Sequence, residues 1–326
     1  MRNCIHDFSK TVLLIVFLLS ANIIQAQLPK IVFAPQWLPQ AQFAGYYVAQ
    51  EKGFYKEAGI EVEIIHPTGS EQATSMLASG KADVISLFLI TAMASKNQGL
   101  DVLNIGQVSQ HSAIMFVAKK SSGIVTLNQL NGKKVGIWKS GFDEVSKAMI
   151  AGQNIKVEWV PILSTVNLFM MDGIDAMAVM KYNEYDQIIN SGLNEDELTT
   201  FPAASYGCDV PEDGIYCLKS TYENKKPELQ KFLQATLKGW DFAANNREYT
   251  IDVVLKRMKL AHQPNNRTHQ QWMLDKVLDL MKPGDKGVAT GELNETDFMK
   301  ASEILGKSKN LQNRYAFTDF YKSLLK

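Results

Sequence analysis

Two short stretches carry residue types able to hold a small planar molecule. Trp37 stands just beyond the apolar run Lys30 to Ala34 and is followed by Gln42, Phe43 and Tyr46. Tyr182, Asn183 and Glu184 stand directly beyond a second apolar run ending at Met180. Indole and phenol rings stack on a flat ring, an amide both donates and accepts, and a carboxylate accepts from an exocyclic amine. That set suits an aminopyrimidine. A plainer reading stays open, with Trp37 as lobe packing and Asn183 and Glu184 as the cap and first turn of a helix. Tyr47 falls on the other side of its helix and reads as core.

The turn Trp138-Lys139-Ser140-Gly141-Phe142-Asp143 joins a strand to a helix, and its backbone N–H groups can hold a polar or anionic ligand end. Trp138, Ser140 and Phe142 are therefore candidate contacts, and Gly69-Ser70 is the matching turn upstream. Asp213, in Glu212-Asp213-Gly214, either meets the ligand or shapes a turn. Between residues 27 and 246 there is no arginine. Carboxylates, sulfonates and phosphates are often held by bidentate arginine, so amino acids and, less strongly, sulfonates are disfavoured as ligands. The histidines are dispersed, and His66 reads as a loop residue. No His-Glu-x-x-His, Cys-x-x-Cys, Gly-x-Ser-x-Gly or phosphate-binding Gly-Lys-Ser occurs. No metal or cofactor is expected.

These residues need a frame. Strands are expected at Lys30 to Ala34, Glu61 to Ile65, Asp83 to Leu89, Gly132 to Trp138, Lys156 to Val160 and Gly173 to Met180, with helices between them. Strand-helix alternation predicts parallel sheets with crossover helices. Gly80-Lys81-Ala82-Asp83 and Gly173-Ile174-Asp175-Ala176 repeat one pattern, a glycine after a helix and an aspartate entering a strand, which suggests two similar α/β lobes. Leu103 to Val117 and Cys208 to Leu218 read as the crossings between lobes. From Lys226 onward the chain reads as helical.

Arg2 and Lys10 precede the apolar run Thr11 to Ile24, and Gln25-Ala26 offers a cut site, so residues 1–26 read as a signal peptide, with a retained anchor as the alternative. The remaining chain is close to neutral, which suggests neither nucleic acid nor an acidic membrane as partner. It exceeds one comfortable core. Residues 27–110 with 215–326 are expected to form one lobe and 111–214 the other. Cys208 and Cys217 read as free or buried thiols rather than a disulfide framework.

Trp37 to Val62, the two glycine-led repeats, Gly132 to Gly136, Tyr182 to Tyr185 and Glu212 to Tyr216 together resemble the periplasmic binding proteins of ABC importers grouped with alkanesulfonate-binding proteins and thiamine pyrimidine synthases. The resemblance covers roughly residues 30 to 245. It implies an α/β type II bilobal fold, hinged by two crossovers, with a ligand between the lobes and a membrane permease as partner. It also implies a periplasmic, monomeric protein. Synthases of the yeast type use an active-site histidine as substrate and carry a cysteine-rich iron motif. The resemblance puts Thr91 at the histidine's place and Gly207 to Glu212, with Cys208 alone, at the cysteine cluster's. The expectation is therefore a capture protein for a thiamine-precursor aminopyrimidine and not an enzyme. A synthase-like enzyme and a periplasmic sensor module are the alternatives.

Overall fold

The computed structural model describes residues 27–68, 71–138, 142–284, 287–309 and 315–325. The expected signal segment, the Gly69-Ser70 turn and Ser140 lie outside the described residues. Among the described residues no helix is long and apolar enough to cross a membrane.

Ten strands form two five-stranded sheets. They are β1 (Lys30–Ala34), β2 (Glu61–Ile64), β3 (Val84–Phe88), β4 (Val102–Gln107), β5 (Ile114–Lys119), β6 (Lys134–Trp138), β7 (Glu158–Ile162), β8 (Ala176–Met180), β9 (Leu198–Pro202) and β10 (Asp213–Leu218). The first sheet runs β2-β1-β3-β10-β4 and the second β7-β6-β8-β5-β9. In each, three strands linked by helices are parallel, and one strand arriving from the other lobe pairs antiparallel with both neighbours. The expected parallel strands are present in both lobes, each with an antiparallel strand added. Leu103 to Val117 and Cys208 to Leu218 are largely strand. Only 108–113 and 207–212 cross between lobes. The strands in both stretches are buried on both faces, so the alternation by which strands are recognised is blurred.

The repeated glycine-aspartate pattern has one physical meaning in both lobes. Asp83 Oδ2 accepts from the backbone N–H of Val32 in β1 at 2.9 Å, and Asp175 Oδ2 accepts from that of Lys134 in β6 at 2.8 Å. Each carboxylate thus ties the first strand of its lobe to the turn entering the third. β3 and β8, so anchored, are buried along their whole length, as strands covered on both faces must be.

The C-terminal region is helical as expected. Helix Lys219–Asn245, non-helical at Lys225 ahead of Pro227, packs on helix Ala44–Glu51 behind the Trp37 segment. The two backbones meet at glycines: a Cβ on Gly239 would lie 2.3 Å from the Gly45 carbonyl oxygen. Cys208 and Cys217 are both free and buried.

Candidate functional site

The C-terminal ends of β1, β3, β6, β7 and β8, with the segment beyond β2, open onto one cleft of about 470 Å³ between the sheets. Ligands bind at such strand ends in open α/β sheets because the loops there are free to vary. Gln36, Trp37, Leu38, Gln40 and Gln42 line the first wall after β1, with Glu71 to Thr74 and Leu87, Phe88 and Thr91 beside them. Trp138, Phe142, Ile162 to Ser164, Met180 and Tyr182 to Glu184 line the second. Trp37 is 40% exposed and meets Phe142 edge-on across the cleft at 6.1 Å between ring centres. Phe142 in turn meets Phe88 at 5.2 Å, again edge-on. The cleft thus has aromatic surfaces on both sides.

Behind the first wall lies a polar layer. Gln42 Nε2 donates to Asp213 Oδ2 at 2.7 Å, and Gln36 Nε2 donates to Asp213 Oδ1. That donation fixes the Gln36 amide and leaves its Oε1 buried with no partner among the described residues. An unpaired acceptor is therefore enclosed within this layer. Gln107 Nε2 ties the layer down through the carbonyls of Ser109, Glu212 and Asp213 at 3.1, 3.2 and 3.0 Å. Burial pushes Asp213 up to about 7, against the pull of the two glutamines. Burial likewise raises Glu212 to about 8, although Ser112 Oγ and the Ala113 N–H donate to its Oε1 at 2.8 and 2.7 Å. Its Oε2 has no partner among the described residues.

On the second wall Glu184 opens helix Glu184–Asn190. Its Oε2 accepts from the Met180 N–H at 3.0 Å and its Oε1 from Asn183 Nδ2 at 2.9 Å. Burial raises its carboxyl, and those two bonds and the Trp138 side chain pull the other way. Asn183 caps the helix only by position, with no side-chain cap bond. Burial raises the Tyr182 phenol well above its ordinary range.

The structure brings Trp37, Gln42, Thr91, Trp138, Phe142, Tyr182, Asn183 and Glu184 onto the cleft. Phe43 and Tyr46, expected on the wall, are in the core, Tyr46 stacked on Phe33 at 4.4 Å. The chain turns through a short 3₁₀ segment, Ala41–Phe43, before the helix, and this rotates both rings inward. Asp213 shapes no turn. It starts β10 and lies behind the glutamines. His66 is a loop residue with work to do: its Nδ1 lies 2.6 Å from the Trp37 carbonyl and its Nε2 3.0 Å from the Tyr47 hydroxyl, and burial lowers its basicity to about 4. Sequence reasoning passed over Gln36, Glu71, Gln72 and Phe88. Gln36 was within reach of it, as the residue before Trp37. Among the described residues lining the cleft there is no Lys, Arg or His.

Comparison with known proteins places this geometry. The chain is 26% identical over 232 residues to the 4-amino-5-hydroxymethyl-2-methylpyrimidine phosphate synthase THI11 of Saccharomyces cerevisiae, covering 65% of this chain and 66% of that protein, just under two thirds of its length. It is 27% identical over 316 residues to the riboflavin-binding protein RibY of Chloroflexus aurantiacus, covering 90% and 86%. It is 22% identical over 259 residues to the formylaminopyrimidine-binding protein of Halalkalibacterium halodurans, covering 76% of each. Among solved structures, the alkanesulfonate-binding protein SsuA from Xanthomonas axonopodis pv. citri aligns with a TM-score of 0.66 at 13% identity, over 91% of this chain and 99% of that one. At that identity the likeness establishes the periplasmic-binding-protein fold. The expectation that the chain is not an enzyme is corrected: fungal relatives, 24–26% identical, are named as synthases. Residues 40–249 match the model described as NMT1/THI5 like, and the chain belongs to that family.

Proposed function

We propose that the protein is an exported solute-binding protein of an ABC importer and that it captures an aminopyrimidine of the thiamine-precursor type. The observation that carries the reading is the pairing of aromatic walls with the polar side chains Gln42, Asn183 and Glu184 in a cleft whose described lining holds no cationic side chain. An aminopyrimidine offers a flat face and N–H donors and needs no cation to neutralise it. Trp37 and Tyr182, from opposite lobes, take the two faces of the ring. Asn183 and Glu184 read its polar edge. The formylaminopyrimidine-binding relative supports this ligand class. Transfer to a permease follows from the same reading.

A second ligand reading, a larger flavin-like heterocycle, is favoured by the 90% coverage of the riboflavin-binding relative and by the size of the cleft. A thermal-shift and calorimetric panel of residues 27–326 against 4-amino-5-hydroxymethyl-2-methylpyrimidine, its formylamino analogue, riboflavin and an alkanesulfonate separates the two. Binding of the pyrimidines alone supports the proposal. Binding of riboflavin alone replaces the ligand, and binding of the sulfonate alone defeats the heterocycle reading.

A further inference from the structure

Helix Arg267–Leu280 touches three parts of the molecule that must move relative to one another if the cleft opens. On the first wall, Gln270 Oε1 accepts from the Ala41 N–H at 2.7 Å, in a fully buried bond. At a crossover, the Leu280 carbonyl accepts from the Gln110 N–H at 2.7 Å. On the second lobe, Trp272 Nε1 donates to the Lys181 carbonyl at 3.0 Å, and its ring lies 6.3 Å from that of Tyr185. His269 completes the second-lobe contact. Its Nδ1 lies 2.6 Å from Asp186 Oδ2 and its Nε2 3.1 Å from Asn183 Oδ1.

The chemistry of those last two partners is decisive. A carboxylate oxygen only accepts. The Asn183 amide is oriented by its other neighbours: Nδ2 faces Glu184 Oε1 at 2.9 Å, and Oδ1 takes Gln187 Nε2 at 2.9 Å. The atom facing His269 Nε2 is therefore also an acceptor. A neutral imidazole has one N–H and one lone pair, so it satisfies only one of the two. Both bonds require the doubly protonated ring. The result is a chain from Asp186 through His269 and Asn183 to Glu184, with its last two members on the cleft.

We propose that His269 is a positioning residue for the ligand site: as an imidazolium it straps Asn183 and Asp186 to the helix that holds the Trp37 wall, so that loss of one proton loosens the second wall. The charged groups around it are accounted for. Helix Glu184–Asn190 presents Asp186 and, through Asn183, Glu184. Helix Arg247–Leu260 presents Glu248 and Asp252, both paired with Arg267 rather than with the ring. The Ala41–Phe43 segment carries no titratable side chain. Deprotonation therefore leaves Asp186 without a charged partner on that side, and the strap weakens as pH rises.

The affinity readout rests on the proposed role of Asn183 and Glu184, whereas the protonation readout does not. In ligand-free protein with nitrogen-15-labelled histidine, the two His269 ring nitrogens are expected to resonate together in the imidazolium range at neutral pH, assigned by their loss in His269→Gln. Binding of 4-amino-5-hydroxymethyl-2-methylpyrimidine is expected to weaken as pH is raised, and His269→Gln, with a single donor nitrogen in place of two, to bind roughly tenfold more weakly at neutral pH with a flatter pH profile. Split nitrogen signals typical of a neutral tautomer at neutral pH overturn the proposal. So does wild-type affinity and pH profile in a folded His269→Gln. If the pyrimidine fails to bind the wild type, the ligand reading falls, and the nitrogen shifts alone decide the strap.

Discussion

Gln36 shows why a side chain's role is set by its partner. Its amide would be free to turn in either sense, but Asp213, 177 residues away in the chain, takes the nitrogen and leaves the oxygen buried and unpaired. No local pattern announces that pairing, which is why Trp37 was legible in the sequence as a strand-end aromatic and its neighbour was not. Trp37→Ala and Gln36→Ala are each expected to weaken pyrimidine binding by about 1–3 kcal/mol, measured by titration calorimetry. Tyr46→Phe makes the opposite test. That hydroxyl is buried without a partner among the described residues, so its removal is expected to leave affinity unchanged and urea stability unchanged or slightly higher. The buried carboxyls give a pH signature. In the folded state Glu212 and Asp213 keep their protons up to about 8 and 7, whereas the unfolded chain releases them near the ordinary carboxylate range. Between those limits the folded state binds more protons, so stability falls as pH rises. Urea midpoints measured from pH 5 to pH 8 are expected to decline, and Glu212→Gln, which can keep the Ser112 and Ala113 bonds, to decline less.

At the scale of elements, local pattern told most about the strands that follow helices. β1 runs where the apolar pentad put it, and β3, β6 and β8 lie within one to three residues of expectation, because a glycine and an aspartate mark where two of them begin. β4 and β5 were read only as a crossing because being buried on both faces removes the alternation, and because their partners are set by the crossings, whereas a strand was expected after Gly214, where β10 runs. β9 was not foreseen at all. The helix pairing behind the first wall is equally invisible locally. Propensity alone would make Gly239→Ala stabilising by about 1 kcal/mol. The Gly45 carbonyl, 2.3 Å from the added Cβ, is backbone and cannot step aside. Overpacking of that kind costs about 1–3 kcal/mol, so a net loss is expected in chemical denaturation, together with weaker ligand binding if the Trp37 segment shifts.

At the scale of the whole molecule, two lobes joined by short crossings and bridged by the helices Arg267–Leu280 and Glu295–Lys309 predict closure around a ligand. Solution scattering should show a smaller radius of gyration with the pyrimidine than without it, and an unchanged radius would remove the closing motion from the mechanism. The strand order carries a further consequence, for the order of assembly. β10 lies between β3 and β4, so the first sheet cannot join its edge strand β4 to the rest until residue 218 has been made. The N–H of Ala41 waits for Gln270, 229 residues later. The residues that line the first wall come early in the chain, yet their scaffold is completed late. A nascent chain halted before residue 213 has β3 and β4 with open edges, and such edges pair non-locally and slowly. Its first sheet stays incomplete until residue 218 has been made, although all five strands of the second sheet are already present by residue 202.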